Sequence, residues 1–195
     1  MENNELSRTE IDNSDIIRNL LKFQSDDDFY FLQILQRKKD HKKGKINGSN
    51  NNSRLIKAYY IKSLDHYDFI IPEVIELCRL FNARAGINLN KRSFKRSQLH
   101  TMKKILDQQL NGEYRRTHQA FNSVCGMYSN ETDKKWIIDL DKEEINLAAE
   151  IGFFLMKLMP NIGEPKVYIS ILSNNGLHLI TSPFDLEEFR TKYKV

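Results

Sequence analysis

The stretch that decides the fold, residues 134–181, reads KKWIIDLDKEEINLAAEIGFFLMKLMPNIGEPKVYISILSNNGLHLIT. Its hydrophobic pattern predicts a strand at 134–140, a helix at 141–159, a continuous apolar strand at 167–172 and a last strand at 177–181. Pro160 ends the helix, and the polar run at 173–176 forms a tight turn. A β-α-β crossover returns its second strand parallel to the first. The sequence therefore predicts a compact β-α-β-β module.

Side-chain alternation separates the two faces of the first strand. Trp136, Ile138 and Leu140 point one way, and Asp139 and Asp141 the other. The predicted helix is apolar nearly all round, so we expect it to cover the Trp136 face. The opposite face then carries two carboxylates, roughly 7 Å apart at their roots for a rise of about 3.3 Å per residue.

Two explanations fit the carboxylate pair. Convergent carboxylates share divalent cations, and such a pair with Mg²⁺ or Mn²⁺ is the usual machinery of nucleotidyl transfer. Asp141 also begins the predicted helix, where it fits a capping box with Glu144. A cap leaves Asp139 unexplained, because a carboxylate within an apolar strand is costly without a partner. The residues alone leave a metal site and a cap with an edge residue equally open.

The hairpin adds a serine and a histidine. Asn175-Gly176 is a favoured two-residue type I′ turn, which would pair Ser173 with His178. Directly opposed residues share a face, so these two side chains are expected beside the carboxylates. A histidine satisfied in a core or exposed at an edge is the more common explanation of such a residue when His178 is taken alone. A four-residue turn would move Ser173 into the loop and remove this pairing.

The order of these motifs resembles the archaeo-eukaryotic primase superfamily. Ile-Ile-Asp-Leu-Asp at 137–141 is similar to that family's hDhD motif, and Ser-Asn-Asn-Gly-Leu-His at 173–178 is similar to its S-x-x-G-x-H motif. The resemblance covers residues 134–181. It implies that Asp139 and Asp141 bind Mg²⁺ or Mn²⁺ and are catalytic together with His178. It also implies that Ser173, Gly176 and His178 contact a nucleoside triphosphate.

The resemblance implies an α+β, primase-like fold at 55–195, with an N-terminal αβ unit and a C-terminal RRM-like β-α-β-β module. The implied function is a metal-dependent nucleotidyltransferase of primase-polymerase type. It would act on a single-stranded nucleic-acid template, through two-cation in-line attack of a 3′-hydroxyl on the α-phosphate. A helicase or another replication protein is the expected partner.

One departure from the family pattern opens an alternative function. The family's third metal-binding acid has no clear counterpart, since Asp185, Glu187 and Glu188 lie at a predicted C-terminal helix. A catalytically degenerate primase-fold protein that binds nucleic acid or a replication partner is therefore the alternative. A metal-dependent nuclease that uses the same aspartates is a third reading.

Charge is distributed unevenly along the chain. The net charge is only +4, yet residues 1–35 carry eight acids against three bases, and residues 84–104 carry seven bases and no acid. Such blocks indicate a basic face for phosphate backbones, although a solvated surface has the same composition. The residues expected to bind nucleic acid are Arg84, Lys91, Arg92, Lys95 and Arg96.

The upstream chain is less regular. We expect an N-terminal helical segment at 1–35, with helices at 15–23 and 29–35, and then a flexible basic loop at 36–54. Strands are predicted at 55–62 and 84–90. Helices are predicted at 72–81, at 94–110 with Ser93 as the cap, and at 114–124.

Composition narrows the class of protein. The chain is 40% hydrophobic and 29% charged, and no apolar run approaches the roughly 18 residues of a membrane helix. The N-terminus lacks a basic region followed by an apolar stretch, so we expect neither a secretory signal nor a membrane partner. Cys78 and Cys125 are expected to be free core thiols. These features favour a cytoplasmic protein, in the host cytoplasm if it is encoded by a phage or another mobile element.

Overall fold

The computed structural model describes residues 10–38, 52–129, 134–160 and 165–193. The fold is α+β, as predicted, with two antiparallel sheets of four and three strands. The chain forms two compact units, one made of Met1–Ile17 with Asp133–Val195 and the other of Arg18–Thr132. Within the described ranges no helix is long and apolar enough to cross a membrane.

The larger unit, Arg18–Thr132, is built around β1 at Asp28–Arg37. This strand pairs with β2 at Ser53–Ile61, β3 at Arg84–Ile87 and β4 at Arg92–Ser93, all antiparallel. The helix predicted at 29–35 is therefore wrong. A central strand that is buried on both faces reads as a continuous apolar run, and periodicity alone does not separate such a run from a buried helix.

Four helices accompany this sheet or lead into it. They are α1 at Ser14–Leu20, α2 at Leu64–Phe81, α3 at Phe94–Leu110 and α4 at Ala120–Met127, which follows a 3₁₀ turn at Tyr114–Gln119. Ser93 caps α3 as predicted, its hydroxyl accepting from the Arg96 N–H at 3.0 Å. The predicted start of α2 at residue 72 is wrong, because Ser63 caps the helix earlier and Pro72 is accommodated inside it.

The predicted basic loop at 36–54 is shorter than expected at both ends. β1 continues to Arg37, and β2 begins at Ser53. The rest of that prediction, residues 39–51, lies outside the described residues.

The smaller unit contains the predicted β-α-β-β module. It runs through β5 at Trp136–Asp141, a 3₁₀ turn at Lys142–Leu147, α5 at Ala148–Leu155, β6 at Val167–Ser173 and β7 at Gly176–Thr181, before α6 at Leu186–Tyr193. β7 lies between β5 and β6 and is antiparallel to both. β5 and β6 are consequently parallel, as expected for a β-α-β crossover, with the last strand inserted between them.

One face of this sheet holds the core of the smaller unit. Leu140, Leu177 and Leu179 pack there with Ile151 and Leu155, which come from α5. Trp136 and Ile138 lie against the same cluster. The prediction that the helix covers this face is confirmed, and the polar positions of β5 are left on the other face.

Candidate functional site

Asp139 and His178 face each other across two neighbouring strands. They are directly opposed in the β5–β7 register, and His178 Nε2 lies 3.2 Å from Asp139 Oδ1. The Asp139 side chain is 73% exposed and that of His178 is 38% exposed. The carboxylate that interrupts an apolar strand therefore has a partner, and the pair is still accessible to a ligand.

The hairpin uses a different turn from the one predicted. Ser173 pairs with Gly176, so Asn174 and Asn175 form the two-residue turn, and His178 faces Ile171. The predicted pairing of Ser173 with His178 is wrong. The change shifts the register by two residues, and a two-residue shift leaves every side chain on its predicted face.

Four polar side chains consequently share one face of the β5-β7-β6 sheet. Asp141, Gly176 and Ser173 form the last row of paired residues, and Asp139 and His178 belong to the next row whose side chains point to the same face, two residues along each strand. We call Asp139, Asp141, Ser173 and His178 the polar face. The predicted placement of both aspartates and the histidine on one face is confirmed as geometry, and their chemical roles remain predictions.

Asp141 also serves as a helix cap. It forms a capping box with Glu144, whose Oε2 accepts from the Asp141 N–H at 3.1 Å. This role does not exclude a second one, because a carboxylate offers about four lone-pair sites for hydrogen bonds or a cation. The capping role of Asp141 is therefore confirmed, and its metal-binding role remains a prediction.

Gly176 has a structural reason for being glycine. A Cβ placed on it would overlap the carbonyl oxygen of Leu140 on β5. The glycine of the S-x-x-G-x-H pattern is thus required by the close approach of two strands. Its implied contact with a nucleoside triphosphate remains a prediction.

The candidate third acid at Asp185 is a cap. Its Oδ1 accepts from the N–H groups of Glu187 and Glu188, both at 3.0 Å, at the start of α6. Across the described ranges no group of three His, Cys, Asp or Glu side chains is placed to hold a metal ion. Mg²⁺ is nevertheless commonly bound by one or two carboxylates together with substrate phosphates, and the exposed Asp139 beside Asp141 fits that requirement.

Two of the five predicted nucleic-acid residues are buried. Lys91 is 6% exposed, and its Nζ donates to Asp28 Oδ2 at 3.0 Å and to Gln24 Oε1 at 2.7 Å. Arg92 is 5% exposed and donates from Nε to the Cys125 carbonyl at 2.7 Å. The expectation that Lys91 and Arg92 bind phosphate is corrected, because both side chains are committed to contacts inside the larger unit.

The other three basic residues differ in accessibility. Lys95 and Arg96 are exposed in the first turn of α3, whereas Arg84 is half-buried on β3. Cys125 is fully buried, as predicted for a core thiol, whereas Cys78 is only partly buried. Burial raises the pKa of the Cys125 thiol to about 11 and lowers the pKa of the Arg92 guanidinium. Lys95 and Arg96 therefore remain the residues predicted to bind phosphate, and Arg84 is a weaker candidate because it is half-buried.

The acidic run at 26–28 has partners far away in the sequence that were not predicted. Asp27 Oδ1 accepts from the Lys95 N–H at 2.9 Å, and hydrogen bonds from the Ser93 hydroxyl and this N–H hold the pKa of Asp27 below its usual range. The only available signal was the opposite charge of two distant blocks.

The chain matches no protein-family model, no curated protein and no solved structure. Its function therefore has to be inferred from the residues themselves.

Proposed function

We propose that this protein is a metal-dependent nucleotidyltransferase of primase-polymerase type that acts on a single-stranded nucleic-acid template. The observation that supports the proposal is the polar face. Two aspartates, a serine and a histidine lie on the same face of one sheet, two residues apart along the strands, in the chain order of the family that the sequence resembles.

Each side chain of the polar face has a role in this proposal. Asp139 and Asp141 would hold Mg²⁺ or Mn²⁺, which stabilises negative charge on a transferred phosphoryl group. Asp139 Oδ1 accepts from Nε2 of His178 and orients the imidazole. Nδ1 would then donate to a phosphate oxygen of the nucleoside triphosphate with the ring as an imidazolium, in which both nitrogens are donors. The Ser173 hydroxyl is a hydrogen-bond donor to the same phosphates.

A second function is favoured by one specific observation. Asp185 is occupied as a cap, and among the described residues no group of three His, Cys, Asp or Glu side chains is placed to hold a metal ion. A primase-fold protein without a third metal-binding acid would bind nucleic acid or a replication partner and would not transfer nucleotides. This degenerate form is the alternative that the decisive experiment must separate from the enzyme.

The decisive experiment measures nucleotide incorporation on a single-stranded template with Mn²⁺ or Mg²⁺. Wild type is expected to incorporate nucleotides, and Asp139→Asn to lose at least about tenfold in rate, because the variant removes a charged oxygen ligand but keeps the side-chain shape. Glu143→Gln is the matched control, since it changes an exposed acid in the neighbouring 3₁₀ turn and should leave the rate unchanged.

The two functions give different results in this assay. If wild type binds template but incorporates nothing with either cation, the enzyme proposal is wrong and the degenerate form is favoured. Incorporation that survives Asp139→Asn at the wild-type rate would also contradict the proposed role of the polar face.

Template binding is expected to depend on Lys95 and Arg96. Replacing both with Ser should weaken binding to single-stranded DNA and reduce the slope of log affinity against log salt by about 1.4, the value for two released phosphate contacts. A fluorescence-anisotropy titration at several salt concentrations measures the slope. The control replaces two exposed lysines elsewhere, Lys62 and Lys157, and an equal change in that control would indicate a general charge effect.

A further inference from the structure

We propose that Tyr128, stacked on His100 of α3, is a platform on which a base of single-stranded nucleic acid stacks. The proposal rests on the proposed function and deepens it, since it names the side chains that would receive the template. The platform consists of the two rings and the neighbouring cations Arg96, Lys103 and Lys104. All of these residues belong to the larger unit.

The two rings form a parallel stack. Their centroids are 4.3 Å apart and their planes differ by 6°. Tyr128 is nevertheless 45% exposed, so part of its surface remains accessible to a ligand. An exposed tyrosine that already lies against a second ring loses little conformational freedom when a base stacks on it.

The position of Tyr128 is fixed by the end of a helix. It is the C-cap residue of α4, and its N–H donates to the Val124 carbonyl at 3.0 Å. Lys104 Nζ donates to the Ser123 hydroxyl at 2.9 Å, which joins α3 to α4 at the same place. The ring is therefore held by main-chain geometry on one side and by α3 on the other.

Cations surround His100 on the surface of α3. Arg96 precedes it by four residues, and Lys103 and Lys104 follow it by three and four, so all three share its side of the helix. Arg96 and Lys103 are exposed. The nearest acid along this side is Asp107, one turn beyond Lys103. The platform thus combines an accessible aromatic ring with a local excess of positive charge.

This combination matches single-stranded nucleic acid better than other ligands. Cations track the phosphate backbone, and an aromatic ring stacks on an unpaired base of any identity. Duplex bases are already stacked and paired, so they have no free face to offer the tyrosine. An acidic peptide would satisfy the cations but would gain nothing specific from an open aromatic ring.

The test compares variants of Tyr128 in the full chain. Tyr128→Ala should lower affinity for an oligothymidine by at least about fivefold, the lower end of the range for one lost base stack. Tyr128→Phe, which keeps the ring, should bind within about twofold of wild type. Affinity for a duplex of equal length should change by less than about twofold in both variants.

Two further variants keep the result interpretable. Tyr128→Leu retains apolar bulk without the ring and should resemble Tyr128→Ala, and a thermal melt identifies any variant that has lost its fold. Phe69→Ala, which removes an aromatic side chain 83% exposed on α2, should leave binding unchanged. Loss of equal size on duplex and single strand, or unchanged affinity of a folded Tyr128→Ala, would overturn the platform.

Failure of the platform can be told apart from failure of the proposed function. Binding that depends on Tyr128 in a protein without nucleotide incorporation would support the platform and reject the nucleotidyltransferase. Incorporation by wild type, together with wild-type binding by Tyr128→Ala, would reject the platform alone. A wild-type protein that binds no oligothymidine at low salt would also reject it.

Discussion

Gly176→Ala is expected to lower the free energy of unfolding of the smaller unit by about 3 kcal/mol. The added Cβ would overlap the Leu140 carbonyl oxygen, which is main chain and cannot move aside as a flexible side chain would. Relief requires β5 and β7 to separate where Asp141 pairs with Gly176 and Leu140 with Leu177. Overpacking of this kind typically costs about 1–3 kcal/mol, and contact with backbone places the cost at the upper end.

Chemical denaturation followed by tryptophan fluorescence measures this loss directly. Trp136 is the single tryptophan of the chain and packs against the core of the same unit. Gly86→Ala is the matched control, because it also replaces a strand glycine but its Cβ would meet nothing within 4 Å. A Gly176→Ala midpoint equal to that of wild type would show that the two strands can separate without cost.

The polar face was predictable because it follows from local rules. Alternation along β5 fixed the side on which Asp139 and Asp141 lie, and apolar patterning fixed which side α5 covers. The prediction survived an error in the turn, since a slip of two residues restores the face. The pairing of Asp139 with His178 across β5 and β7 was not predicted, because it depends on β7 being inserted between the other two strands.

α3 shows what sequence alone could not determine. Its bounds and cap were predicted correctly, but its orientation is unusual: Ser97 and Gln108 are buried. Four large apolar side chains on the same helix are at least 59% exposed, namely Leu99, Met102, Leu106 and Leu110. A rule that turns the apolar face of a helix inward would have chosen the wrong side.

Burial of Lys91 and Arg92 was missed for a related reason. A run of basic residues predicts a solvated or phosphate-binding surface when no partner is visible nearby in the sequence. The partners of Lys91 are Gln24 and Asp28, which reach it only through the pairing of β1 with β4. Contacts between residues far apart in sequence depend on the assembled sheet and have no local signature.

Lys91→Met is the second change expected to have a large effect, a loss of about 3 kcal/mol in the stability of the larger unit. The ammonium and its partner are both mostly buried, with side-chain exposures of 8% for Lys91 and 14% for Asp28. Removing one member of a buried pair leaves the other charge without compensation, which typically costs about 3–5 kcal/mol. Methionine keeps the apolar stem, so the loss reports mainly on the charge.

The pH dependence identifies the cause of that loss. Burial alone would raise the pKa of Asp28, but hydrogen bonds from the Gln24 N–H, the Lys91 ammonium and the Ser25 N–H outweigh it and lower the pKa. A lowered folded-state pKa contributes stability that is present above about pH 3.9 and is lost as pH falls through the folded value. Without Lys91, less opposes the effect of burial, and the pKa of Asp28 in the folded variant should be higher than in wild type. The loss of stability in Lys91→Met should therefore be largest near pH 7 and shrink toward pH 3, where Asp28 becomes protonated in both proteins.

An exposed ion pair provides the matched control. Lys57 Nζ lies 2.5 Å from Glu73 Oε1, with side-chain exposures of 44% and 48%, so Lys57→Met should cost no more than about 1 kcal/mol. Far-UV circular dichroism with urea at pH 7 and pH 3 compares the two variants. Equal losses for Lys91→Met and Lys57→Met, or a Lys91→Met deficit that does not change with pH, would show that burial of the pair is not what stabilises β1 against β4. The predicted contrast arises because water screens one pair and is excluded from the other.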